Sequence, residues 1–353
     1  METIQVDLGA RSYPIIIAEQ SLTGLADYLG GADAWFVLTD ANVNGLYSHD
    51  LAKALDDVTY TKLVLEAGET AKDFRTVETV INAMAAARLT RHSGLISFGG
   101  GVVGDVGGFC ASIYMRGIPY VQVPTTLLAQ VDSSVGGKTG VNVRAGKNMA
   151  GTFYQPAAVI IDTALLATLP RREFTAGLGE VIKYGVIYDH ELLTLLANST
   201  LHRTDPGLLS MIVARCCSIK AEIVAGDETE GGRRKILNFG HTVGHALEAV
   251  TGYTVYLHGE AVLVGMYYET LLAEELGLID ASYRQQINEL IRRTGIDLDI
   301  RGLSLPRLVE QMKADKKNRG ETISFILPAG PCQVMERQYT AAQTLALLGG
   351  LTR

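Results

Sequence analysis

Apolar and polar positions along the chain fall into two regimes. In the first half, short β-rich apolar runs alternate with stretches of helical periodicity. Ile15–Ile17, Trp35–Thr39, Leu63–Leu65, Leu95–Phe98, Tyr120–Val123 and Ala158–Ile161 read as strands, and Phe74–Ala87 is one of the helical patterns between them. This alternation predicts a largely parallel sheet with helices on its faces. In the second half, residues 173–197, 207–225, 240–251, 258–276, 281–294 and 304–314 repeat with helical periodicity. A short strand, Thr322–Leu327, and a last helix near residues 340–348 follow. The change of regime lies at residues 165–172, around Leu169-Pro170, and predicts an α/β domain over residues 1–168 and a helical domain over residues 169–353.

Composition agrees with that division and narrows the function. At roughly 150 residues per domain, 353 residues suit two domains. A 47% apolar and 20% charged chain is globular and excludes disorder. The formal net charge of −7 argues against a general nucleic-acid partner, which would need a basic face, yet leaves room for a small anion in a locally basic pocket. No apolar run approaches the roughly 18–20 residues that cross a bilayer, so no membrane partner is expected. The N-terminus has no signal-peptide pattern. Cys110, Cys216, Cys217 and Cys332 form no Cys-x-x-Cys pair, which suits a reducing cytoplasm.

Glycine, at 38 residues, is concentrated in segments 94–117 and 136–151, where backbone could approach a ligand closely. After Leu95–Phe98, the residues Gly99, Gly101 and Gly104 fit G-x-G-x-x-G. The loop comes late for a dinucleotide fingerprint, and no acid stands about 20 residues further on. Backbone N–H groups at a helix N-terminus could still bind a pyrophosphate. Asp40, ending Trp35–Thr39, could bond ribose hydroxyls or simply cap a helix. Gly136-Gly137-Lys138-Thr139 resembles the end of a P-loop, but the upstream glycine is missing, which excludes nucleotide hydrolysis on that motif. Lys138, Lys147 and Asn148 are candidates for gripping an anion.

His241 and His245 share a helical face at i, i+4, and His258 follows, so three of seven histidines fall within eighteen residues. The H-x-x-x-H spacing can hold zinc but lacks the adjacent glutamate of H-E-x-x-H. Upstream, Glu180 and Lys183 share a face at i, i+3. One Glu and two His with an open position form a catalytic-zinc ligand set. Lys183, Lys220, Arg233, Arg234, Lys235, Lys316 and Lys317 add cations suited to a small polyanion.

Gly99–Asp105, Met115-Arg116-Gly117, Pro124–Lys138, Gly146-Lys147-Asn148, Gly179–Lys183, Lys235–Glu248, Leu257–Glu260 and Asp315-Lys316-Lys317, in this order, resemble 3-dehydroquinate synthase, a sugar-phosphate cyclase family of the shikimate pathway and aromatic amino acid biosynthesis. The resemblance runs over nearly the whole chain. One departure is Gly179, where alanine would be expected before Glu180.

The resemblance implies a Rossmann-like NAD-binding α/β domain, an all-α C-terminal domain and an active site in the cleft. It assigns a divalent metal, Zn2+ or Co2+, to Glu180, His241 and His258, and so gives His245 to the substrate. Asp132, Lys138, Lys147, Asn148, Lys183, Lys220, Arg234, Asn238 and Lys316 or Lys317 match substrate-contacting positions. Of these, Lys138, Lys183, Lys220, Arg234, Asn238 and His245 are the candidate catalytic residues. Arg116 matches a position that reaches across a dimer interface, so a homodimer is implied. Asp40, Asn42, Glu69, Lys72, Gly100, Gly101, Asp105, Thr125 and Thr126 match the NAD site. The implied reaction takes 3-deoxy-D-arabino-heptulosonate 7-phosphate to 3-dehydroquinate and phosphate. It proceeds by transient NAD-dependent oxidation at C5, phosphate elimination, re-reduction, ring opening and intramolecular aldol closure.

The rival readings are a cyclase of the 2-deoxy-scyllo-inosose or 2-epi-5-epi-valiolone type, a metal-dependent polyol dehydrogenase, and an inactive NAD- and metal-binding sensor. Arg234, Asn238 and His245 favour a carboxylate-bearing substrate over the cyclase alternatives. The intact Glu180, His241 and His258 set weighs against the sensor.

Overall fold

A computed structural model describes residues 1–144, 146–199, 202, 204–315 and 321–352. The chain forms two compact units: Met1–Leu169 with His202–Thr229, and Pro170–Leu201 with Glu230–Arg353.

The first unit is built on a seven-stranded sheet. Its strands are β1 (Glu2–Val6), β2 (Tyr13–Ile17), β3 (Trp35–Asp40), β4 (Tyr60–Leu65), β5 (Gly94–Gly99), β6 (Tyr120–Pro124) and β9 (Ala158–Ile161), in the order β1-β2-β9-β6-β5-β3-β4. Only β1–β2 is antiparallel. The central parallel strands β3, β5, β6 and β9 are buried on both faces, which is why they read as largely apolar runs, whereas β4 at the edge is mostly part-exposed. In β3, Phe36 and Leu38 enter one core with Val80, Met84 and Val106. Trp35 and Val37 enter the other with Leu51, Phe98 and Ile160.

All six strands read from the sequence are present in this sheet. Two others, β7 (Lys138–Val143) and β8 (Gly146–Phe153), form a separate hairpin that the sequence reading treated as loop. Their glycines, asparagines and lysines have low strand propensity, and pairing between the two strands overrides it.

Helices α1 (Ala41–Ala54), α2 (Phe74–Ala86) and α3 (Gly101–Ile113) connect the strands. α3 lies hard against the sheet through its glycines: a Cβ at Gly104 would come within 2.8 Å of Gln122 Oε1. The helix Pro206–Gly226, numbered α6 in chain order, also belongs to this unit, although the sequence reading placed it in the second domain. It buries Leu209, Ile212, Val213 and Val224 and packs on β1, β2 and the π-helical turn Ala129–Ser133. Helical periodicity says nothing about which body a helix covers.

The second unit holds α4 (Arg171–Ile187), α5 (His190–Asn198), α7 (His241–Val250), α8 (His258–Glu275), α9 (Ala281–Arg292), α10 (Leu305–Ala314) and α11 (Ala341–Leu351). The pattern at 173–197 is two helices, broken where Asp189 caps α5 by accepting from Leu192 N. The strand expected at 322–327 is β10 (Thr322–Gly330), and it pairs with β11 (Gln333–Thr340), so this domain is helical with one hairpin and not purely α. β11 was missed because it is mostly exposed and carries little apolar alternation.

Among the described residues no helix is long and apolar enough to cross a membrane. The four cysteines are free, and only Cys332 is exposed. Burial pushes the Cys110 and Cys217 thiols up to about 12, which leaves almost no thiolate at neutral pH. A thiol reagent at pH 8 is therefore expected to modify one cysteine per native chain and four after denaturation. Rapid labelling of two or more native thiols would contradict the described packing.

Candidate functional site

In the first unit the strand order reverses between β3 and β5, so the loops leaving their carboxyl ends diverge around a crevice. The register aligns Asp40 with Leu65, Thr39 with Phe98, and Gly99 with Pro124. Asp40 and Asn42, Glu69 and Lys72, Gly100 and Gly101, and Thr125 and Thr126 thus follow the same ends of four adjacent strands. Asp105 sits one helical turn into α3.

Asp40 does cap α1: its Oδ1 accepts from Asn42 N at 2.9 Å and Val43 N at 3.1 Å. Oδ2 takes no donor among the described residues, so the cap uses only one of the two carboxylate oxygens. Lys72, which is buried, pairs with Asp105. Burial pushes the Asp105 carboxyl upward, and the Lys72 ammonium pulls it back. Glu69 Oε1 accepts from Asn142 Nδ2 at 2.8 Å, and Asn142 Oδ1 accepts from Asn148 N at 2.9 Å. This chain of bonds ties the loop after β4 to the β7–β8 hairpin.

The π-helical turn Ala129–Ser133 carries Asp132. Such turns re-aim side chains and recur at functional sites. Lys220 of α6 binds Asp132 twice, at the carboxylate Oδ1 (2.9 Å) and the backbone oxygen (2.6 Å). Lys138 opens β7 and is exposed, and Lys147 and Asn148 lie on β8. They are hairpin residues and not the loop lysines expected. Arg116 is exposed in a turn where Met115, Arg116 and Gly117 all have positive φ (49°, 68° and 118°).

The second unit gathers the histidines. His241, His245 and His258 each offer a ring nitrogen, and these nitrogens lie within 4.8 Å of one another. Glu180 from α4 faces two of them: its Oε1 is 3.6 Å from His241 Nε2 and 4.0 Å from His258 Nε2. Its Oε2 accepts from Lys183, one turn along the helix. Glu180 and Lys183 are each 1% exposed, and Glu180 Oε1 is buried with no hydrogen-bond donor among the described residues.

A buried carboxylate oxygen without a donor carries a desolvation cost that a cation would offset. Two ligands bonded at about 2.0–2.1 Å to one tetrahedral ion stand about 3.3 Å apart, close to the observed separations. The residues therefore fit a divalent metal. The histidine tautomers agree. His241 Nδ1 lies 3.1 Å from the Phe239 carbonyl, His258 Nδ1 3.1 Å from Glu248 Oε2, and His245 Nδ1 2.9 Å from Asp315 Oδ2. Carbonyl and carboxylate oxygens accept, so each Nδ1 donates, and each neutral imidazole keeps the Nε2 lone pair.

Spacing alone joined His241 to His245. The structure places all three histidines together, and Glu180 faces His241 and His258. Arg234 is 1% exposed, and a guanidinium buried to that degree requires acceptors. Asn238 Nδ2 donates to Glu230 Oε1 at 3.2 Å. Lys316 and Lys317 lie outside the described residues. Glu248 and Asp315 were missed as contributors, although Glu248 falls seven residues after His241 on the same helical face.

Two family patterns match the chain: 3-dehydroquinate synthase N-terminal over residues 62–176, and 3-dehydroquinate synthase C-terminal over residues 177–318. The chain is 49% identical over 350 residues to the 3-dehydroquinate synthase of Alkaliphilus metalliredigens, covering 99% of this chain and 98% of that one. It is 44% identical over 357 residues to that of Desulforamulus reducens, covering 99% of each. Among solved structures, 2-epi-5-epi-valiolone synthase from Streptomyces hygroscopicus, with NAD+ and Zn2+ bound, superposes with a TM-score of 0.88 at 30% identity over 96% of each chain. A 2-deoxy-scyllo-inosose synthase complexed with carbaglucose-6-phosphate, NAD+ and Co2+ gives a TM-score of 0.90 at 24% identity over 98% of this chain and 99% of that one, a likeness of fold alone.

Proposed function

The chain belongs to the 3-dehydroquinate synthase family, and on that premise we propose that it converts 3-deoxy-D-arabino-heptulosonate 7-phosphate to 3-dehydroquinate and phosphate, using NAD and a divalent cation, Zn2+ or Co2+. The observation that carries the reading is the buried Glu180 oxygen facing His241 and His258. The relative with NAD+ and Zn2+ bound supports the same cofactors here.

When bound, the nicotinamide supplies reversible hydride removal at a secondary alcohol, and the cation polarises hydroxyl oxygens. The chain's own residues bind, orient and hold charge. Lys183 fixes the Glu180 carboxylate by one oxygen and leaves the other for the cation. Lys220, drawn in by Asp132, keeps an ammonium at the π-helical turn. Arg234 offers a planar fork for a carboxylate or phosphate, and Lys138, Lys147 and Asn148 offer further donors from the hairpin. His245, held by Asp315, presents a ring nitrogen able to accept or return a proton. Positioning and charge placement thus account for most of the work.

A cytoplasmic setting is supported by four free cysteines. A homodimer is supported by the exposed Ile113 and Met115 beside Arg116.

Purified protein given the keto-acid sugar phosphate, a trace of NAD+ and Zn2+ is expected to release phosphate over many turnovers without accumulating NADH. Stoichiometric NADH without phosphate would identify a dehydrogenase. Turnover only of sugar phosphates lacking the carboxylate would identify another cyclase of this fold.

A further inference from the structure

We propose that Glu248 is the positioning residue for His258: its buried carboxylate grips the imidazole by Nδ1 and so directs Nε2 toward Glu180. The inference rests on the reading that Glu180, His241 and His258 hold a divalent cation.

Local rules argue against a glutamate at this position. Glu248 lies in the last turn of α7 (His241–Val250), where the helix dipole disfavours an anion, and its side chain is only 3% exposed. A buried carboxylate near a helix C-terminus adds nothing to that helix, so its partner must lie elsewhere. Residues 241, 245 and 248 share one face of α7, spaced i, i+4 and i+7. Glu248 therefore projects on the side that carries His241 and His245, and its Oε2 reaches His258 Nδ1 at 3.1 Å.

His258 needs such a hold. It is the first residue of α8, and its side chain is 34% exposed, whereas that of His241 is 11% exposed. Packing on one side leaves an imidazole two ring flips and two tautomers. A carboxylate at Nδ1 selects the Nδ1–H tautomer, sets the ring plane and makes Nε2 more basic. His241 has a backbone carbonyl in the corresponding role, and Glu180 has Lys183. The one face of α7 thus contributes a ligand and also the group that orients a ligand on the next helix.

The test is a Co2+ titration of metal-free protein followed by d–d absorption, with NAD affinity and thermal melting measured alongside. Glu248→Ala is expected to weaken Co2+ binding about 10–100-fold, as loss of such a partner does elsewhere. Glu248→Gln, whose amide oxygen still accepts from Nδ1–H but carries no charge, is expected to lose about tenfold or less and to keep the wild-type melt. NAD affinity should not change in either. In the wild-type metal-free protein, 15N shifts of His258 should report Nδ1–H, and in Glu248→Ala that preference should disappear. Wild-type Co2+ affinity in Glu248→Ala, or an Nε2–H tautomer for His258 in the wild type, would overturn the proposal. If the wild type itself bound no Co2+, or His258→Ala bound it fully, the ligand assignment beneath the proposal would fail instead.

Discussion

Glu180→Ala is expected to lose its divalent cation and its phosphate-releasing activity together, the latter by about a thousandfold or more, since charge stabilisation by a metal supplies several kcal/mol of the barrier reduction. Two consequences combine in this substitution. The ligand oxygen disappears, and the Lys183 ammonium, 1% exposed, is left without the carboxylate that Glu180 provides. Removing one partner of a buried ion pair costs about 3–5 kcal/mol, so the alanine variant should also melt earlier. Glu180→Gln separates the two effects. It keeps the side-chain volume and a hydrogen-bond acceptor for Lys183, so its melt should lie nearer the wild type, yet a neutral amide is a poor ligand and the metal should still be lost. Metal content by atomic absorption, set beside the rate of phosphate release, decides the matter. Full metal with full turnover in Glu180→Gln would remove Glu180 from the ligand set.

Gly259→Ala is expected to lower the melting temperature by about 5–10 °C and to weaken metal binding in parallel, although residue 259 is assigned no contact with the ion. A Cβ at Gly259 would fall on the carbonyl oxygen of Ala176 and 2.6 Å from its carbon. The obstruction is backbone and cannot rotate aside. Overpacking of this kind costs about 1–3 kcal/mol or more, and a domain of this size shifts by about 2–4 °C per kcal/mol. Relief requires α4 and α8 to separate at the point where each carries a ligand, since Gly259 follows His258 and Ala176 precedes Glu180 by one turn. Gly179 reinforces the contact, because a methyl there would come within 2.7 Å of the Gly259 oxygen. The glycine that departs from the family pattern therefore permits a close approach next to the ligand. Gly302→Ala, where a Cβ meets nothing within 4 Å, is the control and should stay within about 0.5 kcal/mol of wild type. A wild-type melt for Gly259→Ala would show that α4 and α8 are not in such contact.

Legibility in the sequence followed burial. The central strands were readable because both faces of the sheet are covered there and most of their residues are apolar. The hairpin of β7 and β8 was not, because polar residues and glycines interrupt its few apolar ones and their mutual pairing makes them strands. The histidine cluster was readable as a density of chemistry, but spacing did not give its grouping; the family resemblance supplied Glu180, His241 and His258. Spacing along α7 pairs His241 with His245 equally well whatever faces them. Asp40 shows the same limit: an acid after a strand can cap or bind, and the structure has it cap with one oxygen and leave the other.

By itself, then, the chain's pattern determined the two regimes, the strands of the sheet and the residue types able to hold a dinucleotide, an anion and a metal. Those features are local, written in periodicity and in short motifs. Tertiary structure alone decided that α6 packs with the sheet and brings Lys220 to Asp132. It also set the distances at which Glu180 faces His241 and His258, the trio the resemblance implied, and placed Glu248 and Asp315 behind two of the histidines. Each of those outcomes depends on how two separate elements approach one another; for α4 against α8 and α7 against α8 the approach is set by glycines such as Gly179, Gly259, Gly244 and Gly265, a property of pairs of elements that no single stretch of sequence contains.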